Sequence, residues 1–216
     1  MARRFKPLSS DRVNDLPSEC VGCVFWESRE ALPKRCGSSC DREALAGWID
    51  YVRAQWGDCG RIAYEDGEIL GFVKYAPPAY FPQVAHFAAG TPSEKAVLLA
   101  CLHVDPDARH AGLGKVLLHA AMRDLATRGE RAVEAYAAHN PGDGTELPVV
   151  SVDFLLKQGF TVVRPHPEFP LMRLELKSLA AWTENVEAVL DSLRLPVRVG
   201  NRVPAPFIKA EGVPKP

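Results

Sequence analysis

No apolar run in this chain approaches the roughly 18–20 residues needed to cross a bilayer. None follows the basic opening M-A-R-R-F-K-P-L-S-S-D-R as the apolar region of a secretory signal would. Neither sign of charge is in excess: 26 Lys and Arg face 27 Asp and Glu, for a formal net charge of −1. Without a basic surplus, no global field exists to hold nucleic acid or an anionic membrane. No internal repeat is visible, which excludes a solenoid. The composition also lacks the mark of disorder, since 47% hydrophobic and 25% charged residues can fill a core. A length of 216 residues suits one domain or one and a half. The expected address is cytoplasmic.

Cysteine is present and unevenly spread. Cys20, Cys23, Cys36 and Cys40 crowd into 21 positions, while Cys59 and Cys101 stand alone. A reducing compartment and a chain of this size disfavour a disulfide framework. The C-x-x-C and C-x-x-x-C pairs offer two sets of thiolates of the kind tetrahedral zinc takes, although their separation is shorter than in common ribbons. Three readings stay open: structural zinc on those four residues, a redox-active pair, and unligated thiols buried beside Phe25 and Trp26.

Periodicity orders the rest. A short strand is expected at 5–10, then a polar, turn-rich stretch over 11–18. Leu45, Trp48, Ile49 and Val52 repeat at helical spacing, which predicts a helix from Asp41, its N-cap, to about Trp56. Asp66-Gly67 between β-rich runs predicts a hairpin. The Pro- and Gly-rich connection 76–96 and the loop Asn140–Glu146 are expected to border an acceptor site, because loops commonly carry specificity. The run V-L-L-A-C-L-H-V (97–104) reads as a buried central strand. A helix over 112–128, a strand over 131–138, a short helix over 149–158 and strands at 160–164 and 171–176 follow. Leu179 to Leu193 stripe a last helix, and 196–216 has five prolines and no periodicity. The fold class is therefore mixed α/β (α+β) with a partly parallel sheet. The expected layout is a Cys-rich and helical N-terminal part over 1–57, a core over 58–177, a helix over 178–195 and an extended or disordered tail over 196–216. The last two could meet a second copy in a homodimer.

The chemistry concentrates where the central strand ends. Arg109, Gly112, Gly114 and Lys115 lie between that strand and an amphipathic helix. Glycines let backbone approach a ligand, helix-start N–H groups carry partial positive charge, and two cations add to it. Together they form a cradle for phosphate or pyrophosphate. The P-loop pattern fails because Arg109 and Val116 stand where Gly and Ser/Thr are required. The dinucleotide fingerprint fails because Leu117 takes its third glycine.

What fits is R-x-x-G-x-G at 109–114, preceded by V-x-P-x-x-R from Val104 and followed by F-L-L-K-Q-G-F at 154–160. These segments and the element order from 60 to 176 resemble the GNAT superfamily of N-acetyltransferases. The resemblance implies acetyl-CoA as co-substrate, held by Leu102, His103, Val104, Arg109, His110, Ala111, Gly112, Leu113, Gly114, Lys115 and Phe154. It implies that strand 97–104 splays from strand 131–138, that pantetheine pairs along its end, and that a main-chain N–H near His103 or Val104 polarises the thioester carbonyl. One such donor is worth roughly 3 kcal/mol. The family's frequent tyrosine acid after that Phe is Leu155 here. An unassisted thiolate still leaves tolerably, with a thiol pKa of about 8.5.

An acceptor amine of pKa about 10.4 must lose a proton before attack. Glu134 and His103 are the candidate bases, with Cys101 on the same strand face as His103. Tyr75 and Tyr136 are candidates for the acceptor pocket. The expected activity is transfer of an acyl group to a primary amine. The alternatives are a non-catalytic acyl-CoA sensor, which Leu155 favours, and a zinc-dependent interaction module.

Overall fold

The computed structural model describes residues 3–30, 41–108, 112–139 and 147–176. The expected helix at 178–195 and tail at 196–216 lie outside them, as do Cys36, Cys40, Arg109, His110 and Ala111.

One mixed sheet organises the molecule. Its strands are β1 (Arg3–Pro7), β2 (Gly60–Glu65), β3 (Glu68–Ala76), β4 (Val97–Val104), β5 (Ala132–Ala138), β6 (Val150–Ser151), β7 (Thr161–Arg164) and β8 (Leu171–Glu175). The order is β1-β2-β3-β4-β5-β8-β7, with β6 paired to β5. Among the described residues, only β4–β5 and β5–β6 run parallel. The parallel step at the centre requires a crossover, which α2 (Leu113–Thr127) supplies.

Helix α1 (Arg42–Gln55) begins where expected: the Asp41 side chain accepts the Ala44 N–H at 2.9 Å. The β2–β3 turn places Asp66 and Gly67 at φ +52° and +96°, as a tight hairpin with right-handed strands needs. The segment expected as one helix over 149–158 divides instead. Val150 and Ser151 add a short strand to β5, and Ser151 then caps α3 (Val152–Lys157) by accepting the Phe154 N–H.

Each face of the sheet has its own core. On one face, α2 and α3 bury Leu113, Leu117, Leu125, Val133, Leu155 and Phe160. On the other, α1 and the N-terminal loop bury Leu8, Trp26, Leu45, Ile49, Tyr136 and the Cys59 thiol. Of the connection 76–96, expected to border an acceptor site, the aromatic residues pack inward, while the loop Asn140–Glu146 lies outside the described residues. Two 3-10 turns, Pro78–Tyr80 and Pro82–His86, drive Phe81 and Phe87 against Trp26, whose ring lies parallel to Phe87 at 5.5 Å.

Candidate active site

Strand β4 changes character halfway along. Its first residues are flanked on both edges, and register pairs with β5 occur at Val97↔Val133 and Leu98↔Glu134 alone. Pairing with β3 continues to Val104, but it shifts register: Lys74 faces Cys101 while Tyr75 faces Leu99. Ala100 is the extra residue of a bulge, and bulges bend and twist their strand. Register pairs with β5 thus stop six residues before the end of β4. Burial follows the same break, complete through Cys101 and partial at Leu102, His103 and Val104.

The bend also keeps β3 close. A Cβ on Gly71 would collide with the His103 carbonyl, so only glycine fits there. At the foot of the diverging strands, Gly112 starts α2 at φ +76°, a conformation that side chains rarely take. A Cβ built on Gly114 would stand 3.6 Å from Val104 and 3.7 Å from Phe154. The structure therefore brings together three residues, Val104, Gly114 and Phe154, drawn from a strand, a helix start and a second helix.

A cavity of about 480 Å³ opens against the divergent end of β4. Its walls are largely apolar, with Leu8, Leu45, Ile49 and Phe72 on one side and Leu147–Val149 on another. Its polar lining is Glu19, Lys74, His103 and the thiols of Cys20, Cys23 and Cys101. His103 stacks on Phe72 with ring centroids 5.8 Å apart, and its Nε2 lies 3.9 Å from Glu19 Oε1. Glu19 is exposed, which places that pair at the opening. A second hollow of about 570 Å³ lies against α2, but its Arg61 is already bonded to Asp124 at 2.5 Å.

The other residues singled out in the sequence lie elsewhere. Glu134 is buried but does not line the cavity. One carboxylate oxygen accepts the Ser93 N–H at 2.8 Å, and the other takes Arg173 Nη1 at 2.7 Å. Both lone-pair directions toward those groups are committed, which suits a structural clamp between β5 and β8. Tyr75 donates to Asp124 at 3.1 Å and Tyr136 to the Gly90 carbonyl at 2.7 Å, and neither lines the cavity. Leu155, in place of the tyrosine acid, is fully buried in the α2-side core.

Burial favours the protonated form of the Cys20 and Cys101 thiols. Burial pushes the Cys101 thiol up to about 12 and raises Cys20 as well, despite the Lys74 ammonium nearby. Among the described residues no group of three or more His, Cys, Asp or Glu could hold a metal, and zinc finds no support.

Sequence reasoning missed the strongest electrostatic feature here. Lys74, 4% exposed, bonds Glu27 Oε1 at 2.7 Å and sits 5.2 Å from the centre of the Trp48 ring. The available signal was a lysine inside the otherwise apolar run G-F-V-K-Y of β3, where a half-exposed strand would have placed it toward solvent.

Among the described residues no helix is long and apolar enough to cross a membrane. No curated protein matches the chain. Solved structures share its fold at low identity. PaiA N-acetyltransferase from Thermoplasma acidophilum, in complex with coenzyme A, matches with a TM-score of 0.51 and 18% identity over 81% of this chain and 99% of its own. An N-acetyltransferase from Staphylococcus aureus Mu50 matches at 0.55 and 14% identity, over 82% and 100%. YncA from Salmonella typhimurium, solved with its cofactor acetyl-CoA, matches at 0.55 and 14% identity, over 82% and 96%. The sequence model of the acetyltransferase (GNAT) family covers residues 23–145, more than half of the chain. The protein, a mixed α/β sheet flanked by helices, thus belongs to the GNAT family of acetyltransferases.

Proposed function

We propose that the protein moves an acyl group, acetyl in the simplest case, from coenzyme A to a primary amine in a ternary complex. The observation that carries this reading is the end of β4–β5 register pairing at Leu98, beside a cavity lined by the later β4 residues Cys101, Leu102 and His103. The backbone of 111–115 would hold the pyrophosphate, with Arg109 and Lys115 adding charge. The main chain of Leu102–Val104 would pair with the pantetheine arm, and an N–H there would face the thioester oxygen.

The amine enters from the cavity side. Its nitrogen attacks the thioester carbon, a C–N bond forms, and the C–S bond breaks with its electron pair leaving on sulfur. Of the two candidate bases, His103 faces the cavity, and Glu19 beside it can hold the imidazolium that forms. Positioning both substrates supplies much of the acceleration. Leu155 offers no proton to the departing thiolate, so the sulfur leaves as the anion and is protonated from water.

Calorimetry with acetyl-CoA tests the co-substrate. Arg109→Glu and Gly112→Trp should each abolish the binding heat while circular dichroism stays native. Unchanged binding in both variants would refute the reading. The burial of Leu155 favours one other possibility, an acyl-CoA sensor, which would bind acetyl-CoA yet release no thiol with any amine.

A further inference from the structure

Lys74 and Glu27 have no part in the chemistry just described, yet Lys74 lines the acceptor cavity. This inference deepens the acyltransferase reading and rests on it. A buried lysine needs its charge answered, and Glu27 Oε1 answers it at 2.7 Å. An ammonium carries three N–H donors, and Glu27 takes one of them. What Lys74 can still offer a guest is hydrogen bonding, because its net charge is already met.

The register fixes where that donor stands. Phe72 pairs with His103 and Lys74 with Cys101, so all four side chains share one sheet face. Lys74 is two residues along β3 from Phe72, a strand advance of about 6.8 Å. The amine must sit at the His103 end for attack. The wall between the two ends is apolar: Leu8, Leu45, Ile49 and the protonated Cys101 thiol. A second formal charge at the Lys74 end would be unmatched. A carboxylate would face the Glu27 anion beside Lys74, and an ammonium would face Lys74 itself.

We infer that the acceptor is a compact primary amine whose apolar body, on the scale of the two-residue strand advance of about 7 Å between the Phe72 and Lys74 backbones, ends in a neutral hydrogen-bond acceptor such as an ether, hydroxyl or carbonyl. Lys74 receives that end and sets specificity. Diamines, amino acids of that length and plain alkylamines are discriminated against.

The test is kcat/KM for acetyl-CoA-dependent thiol release with four amines: 4-methoxybutylamine, hexylamine, 5-aminopentanoate and 1,5-diaminopentane. The ether should exceed hexylamine about tenfold, the worth of one hydrogen bond to a charged donor. It should exceed both doubly charged amines by on the order of a hundredfold, because their far charge is buried unpaired. Replacing both partners, Lys74→Met with Glu27→Leu, leaves no orphaned charge and should bring the ether-to-hexylamine ratio to about one. Equal rates for ether and hexylamine in the wild-type protein overturn the inference, as does preference for either charged amine or a ratio that survives the double substitution. Should the double variant fail to fold, the wild-type panel decides alone. Thiol release with the charged amines only sinks this inference and spares the transferase reading. Acetyl-CoA binding without release from any amine, or no binding at all, sinks both.

Discussion

The two faces of one sheet have been put to opposite uses. The α2 side is mainly aliphatic at its centre, with Leu113, Leu117, Leu118, Met122, Leu125 and Leu155 all at 1% exposure or less. Its described core residues include no cysteine, and its ion pair, Arg61 with Asp124, lies at the second hollow on its rim. The α1 side holds the stacked aromatics, the Lys74–Glu27 pair, the thiols of Cys20, Cys23, Cys59 and Cys101, and the cavity. Protein interiors are packed to crystal-like density, so an open volume beside buried polar groups is a cost that packing alone would remove. The α2 face supplies stability and holds the strands. The α1 face gives part of that stability up for an open cavity lined by polar groups.

Trp26 is the most sensitive point of that contrast. Its ring is 1% exposed and touches Phe25, Phe81, Phe87 and Tyr136. Trp26→Ala should cost about 3–5 kcal/mol, read as a fall in the urea midpoint. Trp26→Phe should cost less, since it keeps an aromatic ring in the cluster and leaves a smaller void. A loss below about 1 kcal/mol for the alanine variant would mean that the α1 face is not assembled around this ring.

The next comparison sets one residue from each face side by side. Leu117 and Ile49 are both fully buried, but Ile49 lines the cavity and so lacks partners on one side. Leu117→Ala should cost about 4 kcal/mol and Ile49→Ala about 2 kcal/mol, because atoms facing empty space have fewer contacts to lose. Equal costs would show that the cavity collapses in solution.

The contrast between faces was only half visible beforehand. Strand 97–104 was readable to the residue because its apolar run is continuous, and the helix after it because Leu113, Leu117, Ala121 and Leu125 share one stripe. The glycines and Phe154 could be placed at the strand end because a strand–loop–helix sequence carries its own geometry. The cavity could not be read in this way. Lys74 and Glu27 are 47 positions apart, and no local pattern pairs a strand lysine with a glutamate in an irregular loop. Glu134 misled for the same reason. Its alternation within A-V-E-A-Y gives the face but not Arg173, which arrives from β8, 39 positions later. Register shifts are silent too: nothing in L-L-A-C-L marks Ala100 as the bulge that bends β4.

The smallest effect concerns the thiols, which among the described residues all sit on the α1 face. Burial raises Cys59 and Cys101 each from 9.0 to about 12. In the unfolded chain a thiol ionises near its ordinary value, so above pH 9 the unfolded state holds fewer protons than the native one. Stability must then fall as pH rises, and the fall should continue until the native thiols also ionise. Each such group contributes a slope of about 1.4 kcal/mol per pH unit in that window. The buried tyrosines Tyr75 and Tyr136, also raised by burial, add to the slope with the same sign once pH passes their ordinary value of 10.0. Cys59 is the thiol to remove, because it lies outside the cavity lining. Urea unfolding of Cys59→Ala between pH 9 and pH 10, below the tyrosine window, should show a slope shallower by about 1 kcal/mol per unit than the wild-type protein, because the unfolded thiol is only part-ionised at the start of that window. Identical slopes would mean that water already reaches this thiol in the native state, and that the α1 face is open well beyond the cavity.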